Sequence, residues 1–137
     1  LDLFVVTGSN EFEINAPELH DLLYLNDGKG NFTLVSTALP PFFESNSSVR
    51  SADYDRDGDL DLFVSGRNVP FSYPQGTVSR LLRNDSKAGM IKYTDMTAKW
   101  APDLLKPTLA CDAVWTDVNN DGWSDLVVAG EFMPIQI

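Results

Sequence analysis

Three short stretches of the chain carry one pattern: Leu1-Asp2-Leu3-Phe4-Val5-Val6-Thr7-Gly8, Leu60-Asp61-Leu62-Phe63-Val64-Ser65-Gly66 and Ser124-Asp125-Leu126-Val127-Val128-Ala129-Gly130. Their aspartates stand 59 and then 64 residues apart. A period of that length means one supersecondary unit repeated along the chain, each copy burying its apolar face against the next. Every stretch is rich in β-branched or aromatic residues and closes on Gly, which reads as a buried strand. The first copy holds one residue more before its Gly, which predicts a bulge there.

The rest of the period recurs as well. Asp21-Leu22-Leu23-Tyr24-Leu25 runs into the turn Asn26-Asp27-Gly28-Lys29-Gly30-Asn31 and then Phe32-Thr33-Leu34-Val35. Ser79-Arg80-Leu81-Leu82-Arg83 runs in the same way through Asn84–Gly89 into Ile91-Lys92-Tyr93-Thr94. Both read as hairpins. A further strand is predicted over Ser48–Ala52 and over Asp112–Thr116. No segment has a helical period, and prolines scattered through the long loops argue against long helices. Four antiparallel strands per repeat describe the blade of a β-propeller, so the fold class is all-β. The expected organisation is the C-terminal part of one blade over 1–47, a complete blade over 48–97, and the N-terminal part of the next over 98–137. On that reading the chain is a piece of a longer protein, and Leu3–Val6 and Leu126–Ala129 lack neighbours.

Between the first two strands of a repeat lies an acidic loop. Eight of the 15 aspartates fall within residues 53–61 and 117–125. Both windows fit D-x-[DN]-x-D-G-x-x-D. Side chains at positions 1, 3, 5 and 9 and the backbone carbonyl at position 7 can converge on one centre. The candidate ligands are Asp53, Asp55, Asp57, Asp59 and Asp61 in the first loop. In the second they are Asp117, Asn119, Asp121, Trp123 and Asp125. Asp59 and Trp123 hold the carbonyl position. An all-oxygen set in a flexible loop suits Ca²⁺, whereas Zn²⁺ favours His or Cys. An EF-hand requires Glu at position 12, where this chain has Val64 and Val128. Two carboxylates 4 Å apart repel by about 4 kcal/mol at an effective dielectric near 20, and a cation relieves this. Asp2 stands where a ninth position falls, which predicts a third such loop ahead of residue 1.

With these residues in view, the chain resembles FG-GAP/VCBS-type repeats, the Ca²⁺-binding blades of integrin-α-like propellers. More narrowly, Arg67–Pro74, Ser79–Asn84, Asn26–Phe32 and Gly130–Pro134 are similar to the repeats of cartilage-acidic-protein-like, ASPIC/UnbV-associated proteins. The resemblance implies a seven-bladed propeller in a secreted, surface or periplasmic protein, its partners being the neighbouring blades.

Other residues carry weaker signals. His20 lacks a nucleophile motif around it and reads as a loop residue. Cys111 reads as a small buried residue, and Phe63, Tyr93, Trp115 and Trp123 as packing between blades. Alternation of strand direction puts the acidic loops and the Asn-Asp hairpins on one face. The long loops lie on the other, with Glu11, Phe42, Phe43, Arg67, Phe71, Tyr73 and Glu131; a protein or glycan ligand is expected there. The formal charge of −10 disfavours nucleic acid, and no apolar run is long enough to insert in a membrane. The expected function is therefore a non-catalytic, calcium-binding module for extracellular adhesion or ligand binding. The alternative is part of a propeller enzyme, a glycan hydrolase or lyase with its site on the central axis.

Overall fold

The computed structural model describes residues 2–137; Leu1, expected to open the first strand, lies outside them. The strands are β1 (Leu3–Val5), β2 (Leu22–Asn26), β3 (Phe32–Leu34), β4 (Ser45–Ala52), β5 (Asp61–Asn68), β6 (Arg80–Asn84), β7 (Tyr93–Asp95), β8 (Leu109–Thr116) and β9 (Asp125–Glu131). They form three antiparallel sheets: β1-β2-β3, β4-β5-β6-β7 and β8-β9. The middle sheet is a four-stranded meander, with Val49 opposite Val64, Phe63 opposite Leu81 and Arg83 opposite Thr94. No helix among the described residues is long and apolar enough to cross a membrane.

Strand β5 explains why its sequence is apolar without alternation. Successive side chains point to opposite faces of a sheet, and here both faces are covered. Leu62 and Val64 pack with Leu23, Leu39, Phe42 and Leu82 toward the first sheet. Phe63, fully buried, turns the other way and packs with Ala110, Ala113 and Val128 of the third sheet. Phe63 thus lies between blades, as predicted. Trp115 flanks the same cluster, and Tyr93 flanks the first.

The repeat also appears in its polar joints. Asp21, just before β2, accepts hydrogen bonds at Oδ1 from Thr7 N (2.7 Å) and Thr7 Oγ1 (3.0 Å). Ser79 stands at the matching place before β6, and its Oγ accepts from Gly66 N at 3.1 Å. Asp21 is 1% exposed, and its Oδ2 takes a 2.9 Å hydrogen bond from Asn46 Nδ2 on β4. Burial pushes its carboxyl up to about 6, against the hydrogen bonds from Thr7 and Asn46. The first and second sheets therefore meet through a closed carboxylate as well as through apolar packing.

Several details differ from the expectation. Pairing of β1 with β2 is uninterrupted, so there is no bulge in β1; the extra residue falls beyond the strand, beside the Thr7–Asp21 bonds. Irregular register lies instead in β4, over Ser45–Ser48, and in β8, between Ala110 and Asp112. These strands also begin earlier than predicted, at Ser45 and Leu109, because polar Ser45 and Asn46 and the bulge at Cys111 hide the strand pattern. Cys111 is half-buried at that bulge, with Arg67 Nη1 3.5 Å from its sulfur, rather than enclosed in the core. Among the described residues three helical turns occur, at Pro17–Leu19, Thr97–Trp100 and Pro102–Leu105. Each is too short to leave a periodic signal. Thr97 begins one of them, held by its own N–H on Asp95 Oδ1 at 2.9 Å.

Candidate metal centre

The two acidic loops connect β4 to β5 and β8 to β9, and their backbones are copies of one another. Asp53 Oδ2 accepts from Gly58 N at 3.1 Å, and Asp117 Oδ2 from Gly122 N at 2.8 Å. Asp55 Oδ1 accepts from Asp57 N at 3.3 Å, and Asn119 Oδ1 from Asp121 N at 2.9 Å. Asp57 Oδ1 accepts from Asp59 N at 3.0 Å, and Asp121 Oδ1 from Trp123 N at 2.8 Å. Asp61 Oδ2 accepts from Tyr54 N at 3.2 Å, and Asp125 Oδ2 from Val118 N at 3.0 Å. The fourth residue of each loop is left-handed, Arg56 at φ 63° and Asn120 at φ 60°. The sixth is Gly in both, at φ 97° and 83°, a conformation in which any side chain is strained. The four matched hydrogen bonds fix the candidate ligand residues of each loop to their own backbone.

Within the first loop, carboxylate oxygens of Asp53, Asp55 and Asp61 lie within 4.8 Å of one another. Asp57 is not part of that cluster, and Asp59 contributes no side-chain oxygen to it. Among the described residues no such cluster forms in the second loop, which has Asn119 in place of a third close carboxylate. Asp53 Oδ1 is buried without a hydrogen-bond partner, a costly state for a carboxylate oxygen unless a cation meets it. Asp61 is fully buried at the first position of β5, and its Oδ1 accepts from Asn84 N at 2.8 Å. Burial raises its pKa, and the charges of Asp55 and Asp57 add to the rise. The donor set and the orphaned oxygen both fit a hard divalent cation.

Asp61 also joins the loop to the β6–β7 hairpin. Asn84 Nδ2 and Tyr93 Oη lie 3.3 and 3.4 Å from Leu60 O. The acidic loops and the Asn-Asp hairpins therefore share one face, as strand alternation predicts. The first repeat repeats the staple: Asp2 Oδ1 accepts from Asn26 N at 3.0 Å, as Asp61 accepts from Asn84. Asp2 thus holds its hairpin as Asp61 holds the next one.

On the opposite face the structure gathers part of the expected residue set. Glu131 takes Arg67 Nη2 on Oε1 and Tyr73 Oη on Oε2, both at 2.7 Å. Those bonds hold the Glu131 carboxyl below its usual range and push the Tyr73 phenol up. Phe71 is exposed, its backbone N–H bonded to Asn10 Oδ1 at 2.7 Å. Phe42 is a correction: it is buried in the first apolar cluster because the loop before β4 folds under the sheets. His20 is the structural loop residue expected, with Nδ1 3.1 Å from Phe42 O and Phe43 against its ring. Glu11 is not brought to the Arg67–Glu131 pair. Two residues of this face went unread in the sequence. Asn10 bridges to Phe71, and Phe132, 82% exposed with φ 54°, lies 6.5 Å from the Tyr73 ring.

Residues 1–64 match the family model for an FG-GAP-like repeat. That span ends within β5 and includes the first acidic loop. FG-GAP repeats are β-propeller blades, and the antiparallel sheets described above have that architecture. No curated protein and no solved structure matched the chain.

Proposed function

We propose that this chain is a calcium-binding, non-catalytic propeller module that serves extracellular adhesion or the binding of a protein or glycan. The observation that carries the calcium reading is the first loop: three converging carboxylates, one oxygen of which is buried and unpaired. The second loop repeats its hydrogen-bond frame at a spacing of 64 residues. Asp53, Asp55, Asp57 and Asp61, with the carbonyl of Asp59, would hold the first ion. Asp117, Asn119, Asp121 and Asp125, with the carbonyl of Trp123, would hold the second. The ion's part is structural. It offsets carboxylate repulsion and ties the β4–β5 turn, through Asp61, to the β6–β7 hairpin. Ligand binding is proposed for the opposite face, where Phe71, Tyr73 and Phe132 stand exposed around the Arg67–Glu131 pair. The acidic loops, being closed on themselves, leave that face to do the recognising.

Extracellular calcium modules bind at about 10⁻⁴ to 10⁻³ M. With calcium at a hundredfold excess over the dissociation constant, binding adds about 2.7 kcal/mol per site. For a chain of this size that is a rise in melting temperature of roughly 8 °C per site, or roughly 16 °C with both loops filled. Thermal unfolding of the full chain in about 10 mM calcium, repeated after chelation, is expected to show that drop. A melting temperature indifferent to the chelator would reduce the loops to ordinary turns.

A further inference from the structure

Arg56 belongs to the first acidic loop but makes its contacts in the second. Its guanidinium carbon lies 3.5 Å from the centroid of the Trp123 ring, and Nη2 donates to Gly122 O. Gly122 and Trp123 are positions 6 and 7 of the second loop. The peptide between them carries the N–H that bonds Asp121 Oδ1, the position-5 ligand, at 2.8 Å. Arg56 therefore grips the peptide between positions 6 and 7 of the neighbouring loop, whose N–H holds the position-5 carboxylate.

From these contacts we infer that Arg56 is a positioning residue through which a cation in residues 53–61 strengthens cation binding in residues 117–125. The inference rests on the calcium reading of both loops. Its physical basis is the place of Arg56 between Asp55 and Asp57. An ion that draws positions 3 and 5 inward fixes the residue between them and turns its side chain outward, toward the next blade. The left-handed backbone at Arg56 is the local expression of that geometry. A guanidinium then supplies a flat stacking surface and a donor for the Gly122 carbonyl, a combination that a lysine ammonium lacks. Coupling between sites is reciprocal, so occupation of the second loop steadies Arg56 in turn.

Charge alone predicts the opposite sign. A cation beside a cation site weakens it, so deleting Arg56 would raise the affinity of the second loop if repulsion dominated. The test is a calorimetric calcium titration of the full chain as wild type, Arg56→Ala, Arg56→Lys, Asp53→Asn and the Arg56→Ala/Asp53→Asn double variant. Arg56 is exposed, so its variants are expected to keep wild-type circular dichroism. The coupling predicts that second-loop affinity falls about fivefold in Arg56→Ala and in Asp53→Asn. It predicts a similar fall in Arg56→Lys and no further loss in the double variant, since both changes break one link. An unchanged or increased second-loop affinity in Arg56→Ala, with both loops still binding, overturns the coupling and leaves the calcium reading intact. Absence of calcium binding in wild type overturns both.

Discussion

Phe63→Ala is expected to lower the unfolding free energy of the full chain by about 3–5 kcal/mol, the range for deleting a buried aromatic ring. Phe63 is fully buried and forms one apolar cluster with Ala110, Ala113 and Val128. Leu104, Trp115, Leu126 and Met133 pack against the same cluster, and how far they close over the vacated space sets where in that range the loss falls. The ring is also the main apolar link from β5 to the third sheet. Outside the cluster Tyr54 stacks on Trp115 with ring centroids 5.9 Å apart, and among the polar contacts Arg50 pairs with Asp112 at 2.6 Å and donates from Nε to Ala113 O at 3.0 Å. The Arg50 contacts are half-exposed and worth little beside the ring. Urea unfolding should show a lower midpoint, and hydrogen exchange should show β8 and β9 opening ahead of β1–β3. A loss below about 1 kcal/mol would mean that Phe63 does not hold the two blades together.

Gly66→Ala is expected to cost about 3 kcal/mol or more through overpacking. A Cβ on Gly66 would stand 1.9 Å from Val78 O and 2.6 Å from Val78 C, both backbone atoms that no rotamer change can move. Gly8 and Gly130 meet the same obstacle, at 2.0 Å from Asn46 O and 2.2 Å from Leu109 O. The glycine that closes each repeat is therefore required by close backbone approach at the end of the blade's second strand. Gly89 is the contrast, with open space around it and φ +81°, so Gly89→Ala costs only the left-handed penalty of about 1–2 kcal/mol. Chemical denaturation of both variants tests the distinction. Gly66→Ala no more harmful than Gly89→Ala would remove the close-approach explanation.

These two residues also mark what a sequence of this kind discloses. The period, the strand pattern and the acidic loops were legible because each is a local regularity repeated at nearly constant spacing. Gly66 was legible as a recurring glycine, but its cause was not, since Val78 enters only through the return of the chain. Arg56 read as a filler position in the loop motif; its partners Gly122 and Trp123 lie 66 and 67 residues away. The bulges at Ser45–Ser48 and at Cys111 were hidden for a related reason, because register depends on the partner strand. Phe42 read as a loop aromatic and is core, since a short loop under two sheets is buried by what covers it. Within the acidic loops, spacing picked out the candidate ligand positions. It did not distinguish the close cluster of Asp53, Asp55 and Asp61 from Asp57, which stands outside it.

The central claim is that each acidic loop holds one calcium ion, and the stoichiometry of binding tests it most directly. Calorimetric titration of the full chain is expected to give two calcium ions per chain. Asp53→Ala and Asp117→Ala, which remove the first position of either loop, are each expected to leave one. No binding at millimolar calcium, or a stoichiometry that neither substitution changes, would contradict the account.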